Sequence, residues 1–83
     1  MTTEAMLVIA LNAIESVLPK GFELDDYDED GHKISISIYD CRRFPGVCVG
    51  TFHYAKDQRD SEADQDLDFA RRLAEYIDEW RRR

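Results

Sequence analysis

The chain has 83 residues, a hydrophobic content of 43% and a formal net charge of −7, which fits one domain around a single two-layer core and argues against wholesale disorder. A surface this acidic repels phosphate backbones and anionic membranes and favours basic partners, so direct nucleic-acid binding is disfavoured. Two cysteines do not make a disulfide framework, and the apolar run MLVIAL lacks the basic flank of a signal peptide and the length of a membrane span, so a cytoplasmic protein is expected.

The first helix is expected from about Thr3 to Leu18. Leu7, Ala10, Leu11, Ile14, Val17 and Leu18 recur at the spacing of one helical face, and Met6, Ile9 and Ala13 widen it. Thr2 or Thr3 suits the N-cap, and Pro19 with Gly21 ends the helix. Three strands follow: one leading from Phe22 toward Asp28, one over Ile34 to Tyr39, and one over Val47 to Tyr54. Strict alternation sets Ile34, Ile36 and Ile38 on one face and Ser35, Ser37 and Tyr39 on the other. A three-residue loop, Glu29-Asp30-Gly31, would pair Leu24 with Ile36 and Phe22 with Ile38, with Gly31 supplying the positive φ. An odd-length loop within RRFPG would set Cys48, Phe52 and Tyr54 on the isoleucine face.

A second amphipathic helix is expected from about Ser61 to Arg82. Its buried stripe reads Ala63, Leu67, Ala70, Leu73, Ala74, Ile77 and Trp80, flanked by Phe69 and Tyr76. Ser61 or Asp60 caps it; Asp64 and Asp66 suit its positive end, and Arg81, Arg82 and Arg83 its negative end. The predicted fold is α+β in the order α-β-β-β-α: a single domain over residues 1–83, with a three-stranded antiparallel sheet and both helices on its isoleucine face. Tyr27, Tyr39, Val49, Thr51 and His53 are expected on the opposite face, a half-apolar surface for docking or for a homodimer.

Three kinds of chemistry are weighed on the residues. Asp26, Asp28, Asp30 and Gly31 match positions 1, 3, 5 and 6 of an EF-hand loop, yet Ser37 stands where the bidentate glutamate belongs. An acidic turn is the better reading, with a weak calcium site as the alternative. Cys41, Cys48, His32 and His53 fit no zinc spacing, and the two cysteines read as buried free thiols. No Gly-rich phosphate loop and no nucleophile–base set is present in the sequence, so no catalysis, metal or cofactor is expected.

Charge placement says more. Six acids lie in ELDDYDED, Glu23 to Asp30, and six in DQRDSEADQDLD, Asp57 to Asp68. The element order resembles the double-stranded-RNA-binding domain, but where that family places basic residues at the start of its second helix this chain reads DSEADQD. The order, size and acidity are similar to small phage-encoded inhibitors, including anti-CRISPR proteins that act as DNA mimics; ELDDYDED and DQRDSEADQDLD carry the resemblance. It implies a stoichiometric inhibitor without catalysis that occupies the arginines and lysines of a basic nucleic-acid-binding partner. Asp25, Asp26, Asp28, Glu29 and Asp30 would bind first, Asp60, Glu62, Asp64, Asp66 and Asp68 second, with Tyr27 and Tyr39 as anchors. The alternative is a non-catalytic adaptor or homodimeric interaction module.

Overall fold

A computed structural model describes residues 1–83 and gives the order α1 (Thr3–Glu15), β1 (Phe22–Asp30), β2 (Lys33–Asp40), β3 (Val47–Ala55) and α2 (Glu62–Arg81). The strands form one antiparallel sheet in the order β1-β2-β3, and both helices pack on one side of it, α1 over β1 and β2 and α2 over β3. Local chemistry sets the helix starts. Thr2 Oγ1 accepts from the Ala5 N–H, and Ser61 accepts from the Asp64 N–H, each satisfying a donor that the first helical turn leaves free. Helix α1 stops at Glu15, three residues before Leu18; the chain tightens there into i→i−3 bonds, Val17 N–H to the Ile14 carbonyl and Leu18 N–H to the Glu15 carbonyl, before Pro19 bars further helix. Val17 and Leu18 still pack against the core from the connecting turn.

The core is the isoleucine face. Ile36, Ile38, Met6, Ala10 and Ile14 are completely buried, and Phe52, Tyr54, Phe69, Leu73, Ile77 and Trp80 close around them. Each of the larger side chains contributes about 1.5–3 kcal/mol by leaving water. Tyr54 is buried with its hydroxyl donating to the Gln65 carbonyl at 3.0 Å, so its polar tip has a partner.

The strand pairing differs from the sequence expectation in both hairpins, by the same device. The first turn has two residues, Gly31 and His32, between paired Asp30 and Lys33, and Gly31 has φ +31°. A two-residue turn would have put Leu24 on the wrong face, but a bulge at Asp25 takes up one residue and returns Leu24 to lie opposite Ile38. Leu24 therefore pairs with Ile38 rather than Ile36, and Phe22 with Asp40 rather than Ile38. Tyr27 pairs with Ile36, on the helix side and not on the open face. In the second hairpin the loop Cys41 to Gly46 is even in length, and a bulge at Val49 again corrects the alternation. Phe52 and Tyr54 keep the isoleucine face as expected, whereas Cys48 pairs with Tyr39 on the open face and Val49 turns toward the core. Both cysteines are free and exposed, not buried.

Helix α2 is also rolled relative to the expectation. Phe69, Leu73, Ile77 and Trp80 are buried, while Ala63, Leu67, Ala70 and Ala74 face solvent, Leu67 with 70% of its surface exposed. The aromatics decide the roll, because Phe69 and Trp80 bury far more area than alanine. One consequence falls at Gly50, opposite Ile38. A Cβ there would sit 2.9 Å from the Tyr76 hydroxyl and 3.8 Å from the Trp80 ring. Gly50→Ala is expected to destabilise by about 1–3 kcal/mol. The Tyr76 hydroxyl has no hydrogen-bond partner, so Tyr76→Phe should be nearly neutral and should reduce the Gly50→Ala cost. A denaturant double-mutant cycle checks this; equal cost in both backgrounds would clear the hydroxyl as the obstacle.

Candidate functional site

The open face of the sheet is acidic and polar. Antiparallel pairing places Asp26 beside Ser37, Asp28 beside Ser35 and Asp30 beside Lys33, with Glu23 beside Tyr39. Across β2, Ser35 faces His53, Ser37 faces Thr51 and Tyr39 faces Cys48. Tyr39, Thr51 and His53 thus lie where expected; Tyr27 and Val49 do not, and the face is less apolar than the sequence suggested. Asp25, Asp26, Asp28 and Asp30 are exposed and enter no ion pair. Burial and the negative charge of Asp26 and Asp25 push the Tyr39 hydroxyl above its ordinary pKa, after which the phenol stays a neutral donor in the physiological range.

Extended backbone sets how far the three aspartates of the EF-hand-like run can converge. Asp26, Asp28 and Asp30 belong to one regular strand, which spaces same-face side chains about 6.8 Å apart instead of wrapping them around an ion. No group of three or more histidines, cysteines or carboxylates comes together in a metal-holding arrangement.

The second acidic segment is arranged differently. Asp57 pairs with Arg59, Asp68 with Arg71 and Arg72, and Glu62 and Asp66 with the Met1 ammonium. Asp60 and Asp64 alone among its acids on the helix approach carry no ion pair. The pairings hold the Asp57, Glu62 and Asp68 carboxyls below their ordinary pKa, in each case chiefly through the hydrogen bond from the cation.

The two segments meet at one end of the molecule. Thr3 Oγ1 donates to the Gly31 carbonyl at 3.1 Å, the Lys56 N–H donates to the His32 carbonyl at 2.8 Å, and Lys56 Nζ donates to the Met1 carbonyl at 2.6 Å. The β1–β2 turn, the N-terminus and the start of α2 are thereby joined, with Glu29, Asp30, Asp60, Glu62 and Asp64 around them. The opposite end is basic. Trp80 meets Phe22 edge-on at 5.6 Å, Arg42 lies 4.8 Å over the Phe22 ring and Arg83 lies 4.1 Å over the Trp80 ring. Arg43, Arg81 and Arg82 stand beside them in the same loop and helix end. Asp40, Asp78 and Glu79 lie among these arginines, Asp40 paired with Arg42 and Asp78 with Arg81, so the arginine excess at this end is small.

Two features were missed in the sequence. Tyr27, 60% exposed, stands at the mouth of a groove of about 560 Å³ between α1 and β1, lined by Leu11, Leu18, Phe22 and Leu24 with Glu15 and Glu23. Tyr27 and Tyr39 are therefore on opposite sides of the sheet and do not anchor one flat partner together. Phe44 is completely exposed at the tip of the β2–β3 loop, next to Arg42 and Arg43; the run RRFPG was the available signal, read only for its turn. No protein-family model, curated protein or solved structure matches the chain. No helix is long and apolar enough to cross a membrane.

Proposed function

We propose that the protein is a small, cytoplasmic, non-catalytic inhibitor that presents the β1 edge of its sheet to the basic nucleic-acid-binding surface of a partner protein, as phage-encoded nucleic-acid mimics do. The observation that carries the reading is the row Asp26, Asp28 and Asp30 on the open face, exposed and free of ion pairs, with Asp25 at the bulge beside it. Same-face residues recur about every 6.8 Å along a strand; successive phosphates of one DNA strand rise only roughly 3.4 Å along the axis but also turn about it, so they stand about as far apart as the carboxylates. Carboxylates at that spacing suit arginines and lysines set to hold successive phosphates. Tyr39 stands one strand inward from the row and supplies a rigid, amphipathic contact. Glu29 lies on the helix side against Thr3 and plays a lesser part, as do Asp66 and Asp68, whose charges are already neutralised. Asp60 and Asp64 extend the acidic end.

The test is a low-salt pull-down from bacterial lysate, with and without excess competitor DNA, comparing wild type with Asp26→Lys/Asp28→Lys. Both positions are exposed, so the fold should persist, checked by circular dichroism. The expected outcome is a basic nucleic-acid-binding protein held by wild type, displaced by DNA, and lost in the variant. A partner that ignores both the DNA and the charge reversal would overturn the mimic reading in favour of an adaptor.

A further inference from the structure

The helical layer carries an apolar surface that the monomer leaves uncovered. Ala63, Leu67, Ala70 and Ala74 run along the outer side of α2 at successive helical turns, and all are exposed. A groove of about 380 Å³ opens between this stripe and α1, lined by Ile9, Ala13, Ala70, Leu73, Ala74 and Ile77, with Asp78 and Arg81 as its charged members. Val8 and Ile9, 52% and 44% exposed, continue it across α1. The side of α1 toward the groove, Ala5, Ile9, Ala13 and Ser16, bears no charge. The alanines and Leu67 fall in helical register with the buried stripe, yet nothing in the chain lies over them.

The charges of α2 say what fits there. At its start Asp60 and Asp64 enter no ion pair, whereas Glu62, Asp66 and Asp68 are already paired; at its end Arg81, Arg82 and Arg83 outnumber Asp78 and Glu79, and Arg82 and Arg83 enter no ion pair. An antiparallel copy of the same helix sets the acidic start of each against the basic end of the other, twice, by symmetry. The small Ala70 and Ala74 at the middle let two helices approach closely, with Leu67 of each copy reaching Ile77 of the other. A 20-residue α2 is about 30 Å long and two helices side by side are about 20 Å across. That projected face, on the order of 600 Å², compares with the roughly 800 Å² of accessible surface that each member of a standard interface covers.

We infer that the protein forms a two-fold homodimer through its helical layer, α2 packing antiparallel on α2 of a second copy around Leu67, Ala70 and Ala74. The sheet face, expected to serve a homodimer, stays outward, so each dimer displays two Asp26–Asp30 rows on opposite surfaces. The inference does not depend on what those rows bind.

Sedimentation equilibrium from low-micromolar to near-millimolar concentration tests it. Wild type should approach twice the 9.7 kDa chain mass. Leu67→Glu should weaken association at least ~30-fold, as for a central contact, without loss of helicity because Leu67 is exposed. Charge exchange makes the test specific to the antiparallel arrangement. Asp60→Arg/Asp64→Arg and Arg81→Glu/Arg82→Glu should each dissociate alone, like charges then meeting at both ends, and a 1:1 mixture should recover the dimer. A wild type that stays monomeric throughout would overturn the inference. So would a dimer broken by Tyr39→Arg and indifferent to Leu67→Glu, which places the interface on the sheet.

Discussion

Ile36→Ala is expected to lower the unfolding free energy by roughly 4 kcal/mol, in the upper half of the range for large-to-small core substitutions. Ile36 is completely buried at the middle of the central strand, paired with Tyr27 on one side and Phe52 on the other, with α1 packed over its strand. A cavity there is bounded by hydrogen-bonded strands that cannot close in, so little of the loss is recovered. A domain of this length holds a total of about 4–12 kcal/mol, so the change removes a third or more of it. The melting temperature should fall on the order of 20 °C. Ser37→Ala is the control: it is the next residue, on the open face, and should change stability by no more than about 0.5 kcal/mol. Urea denaturation of the two variants tests the face assignment as well as the magnitude. Similar effects at Ile36 and Ser37 would mean that the helices do not lie on the isoleucine side.

Parts of this architecture were legible because one residue pattern fixed each of them. ISISIY has period two and no competing reading, so the core face of β2 followed directly. Thr2, Ser61 and Pro19 bound the helices through hydrogen-bond and backbone chemistry that needs no tertiary context. The parity of the hairpins was different. An even loop with a bulge and an odd loop without one both return a hydrophobic residue to the core, and the residues FELDDY do not distinguish them. The even loop put Tyr27 under α1, which separated it from Tyr39 and removed one of the two aromatics expected at the acidic face.

The roll of α2 was hidden for a related reason. Its apolar arc runs from Trp80 and Phe69 through Leu73 and Ile77 to Ala70, Ala74 and Leu67, wider than one sheet face covers. Period alone centres the arc; packing chose the aromatic edge and left the alanine edge outside. The meeting of the two acidic segments, by contrast, follows from topology. Three antiparallel strands return β3 to the end where β1 finishes, so α2 must begin beside the β1–β2 turn. What the sequence lacked was the pairing within the second segment, where Arg59, Arg71, Arg72 and the N-terminus neutralise most of its acids. That pairing is why β1, rather than α2, carries the proposed contact.

Trp80→Ala should destabilise by about 3–5 kcal/mol, the range for removal of a buried tryptophan or phenylalanine. Trp80 is 3% exposed and closes the basic end of the core, edge-on to Phe22 of β1 and above Gly50 of β3. Its loss would open a space between both edge strands and the last turns of α2. One opposing effect keeps the change toward the lower limit: the buried indole N–H has no hydrogen-bond partner, and removing it relieves that desolvation. Trp80→Phe separates the two effects. It keeps an aromatic ring against Phe22 and deletes the unpartnered N–H, so its cost should stay below about 1.5 kcal/mol. Guanidinium denaturation followed by circular dichroism suits the series, since Trp80 is the one tryptophan in the chain and its fluorescence is lost with it. If Trp80→Phe costs as much as Trp80→Ala, the indole must be held by its N–H and not by packing. A difference of 2 kcal/mol or so between them would instead assign the basic end to apolar contact alone. Arg42 and Arg83 would then be cations laid over an aromatic pair that stands without them.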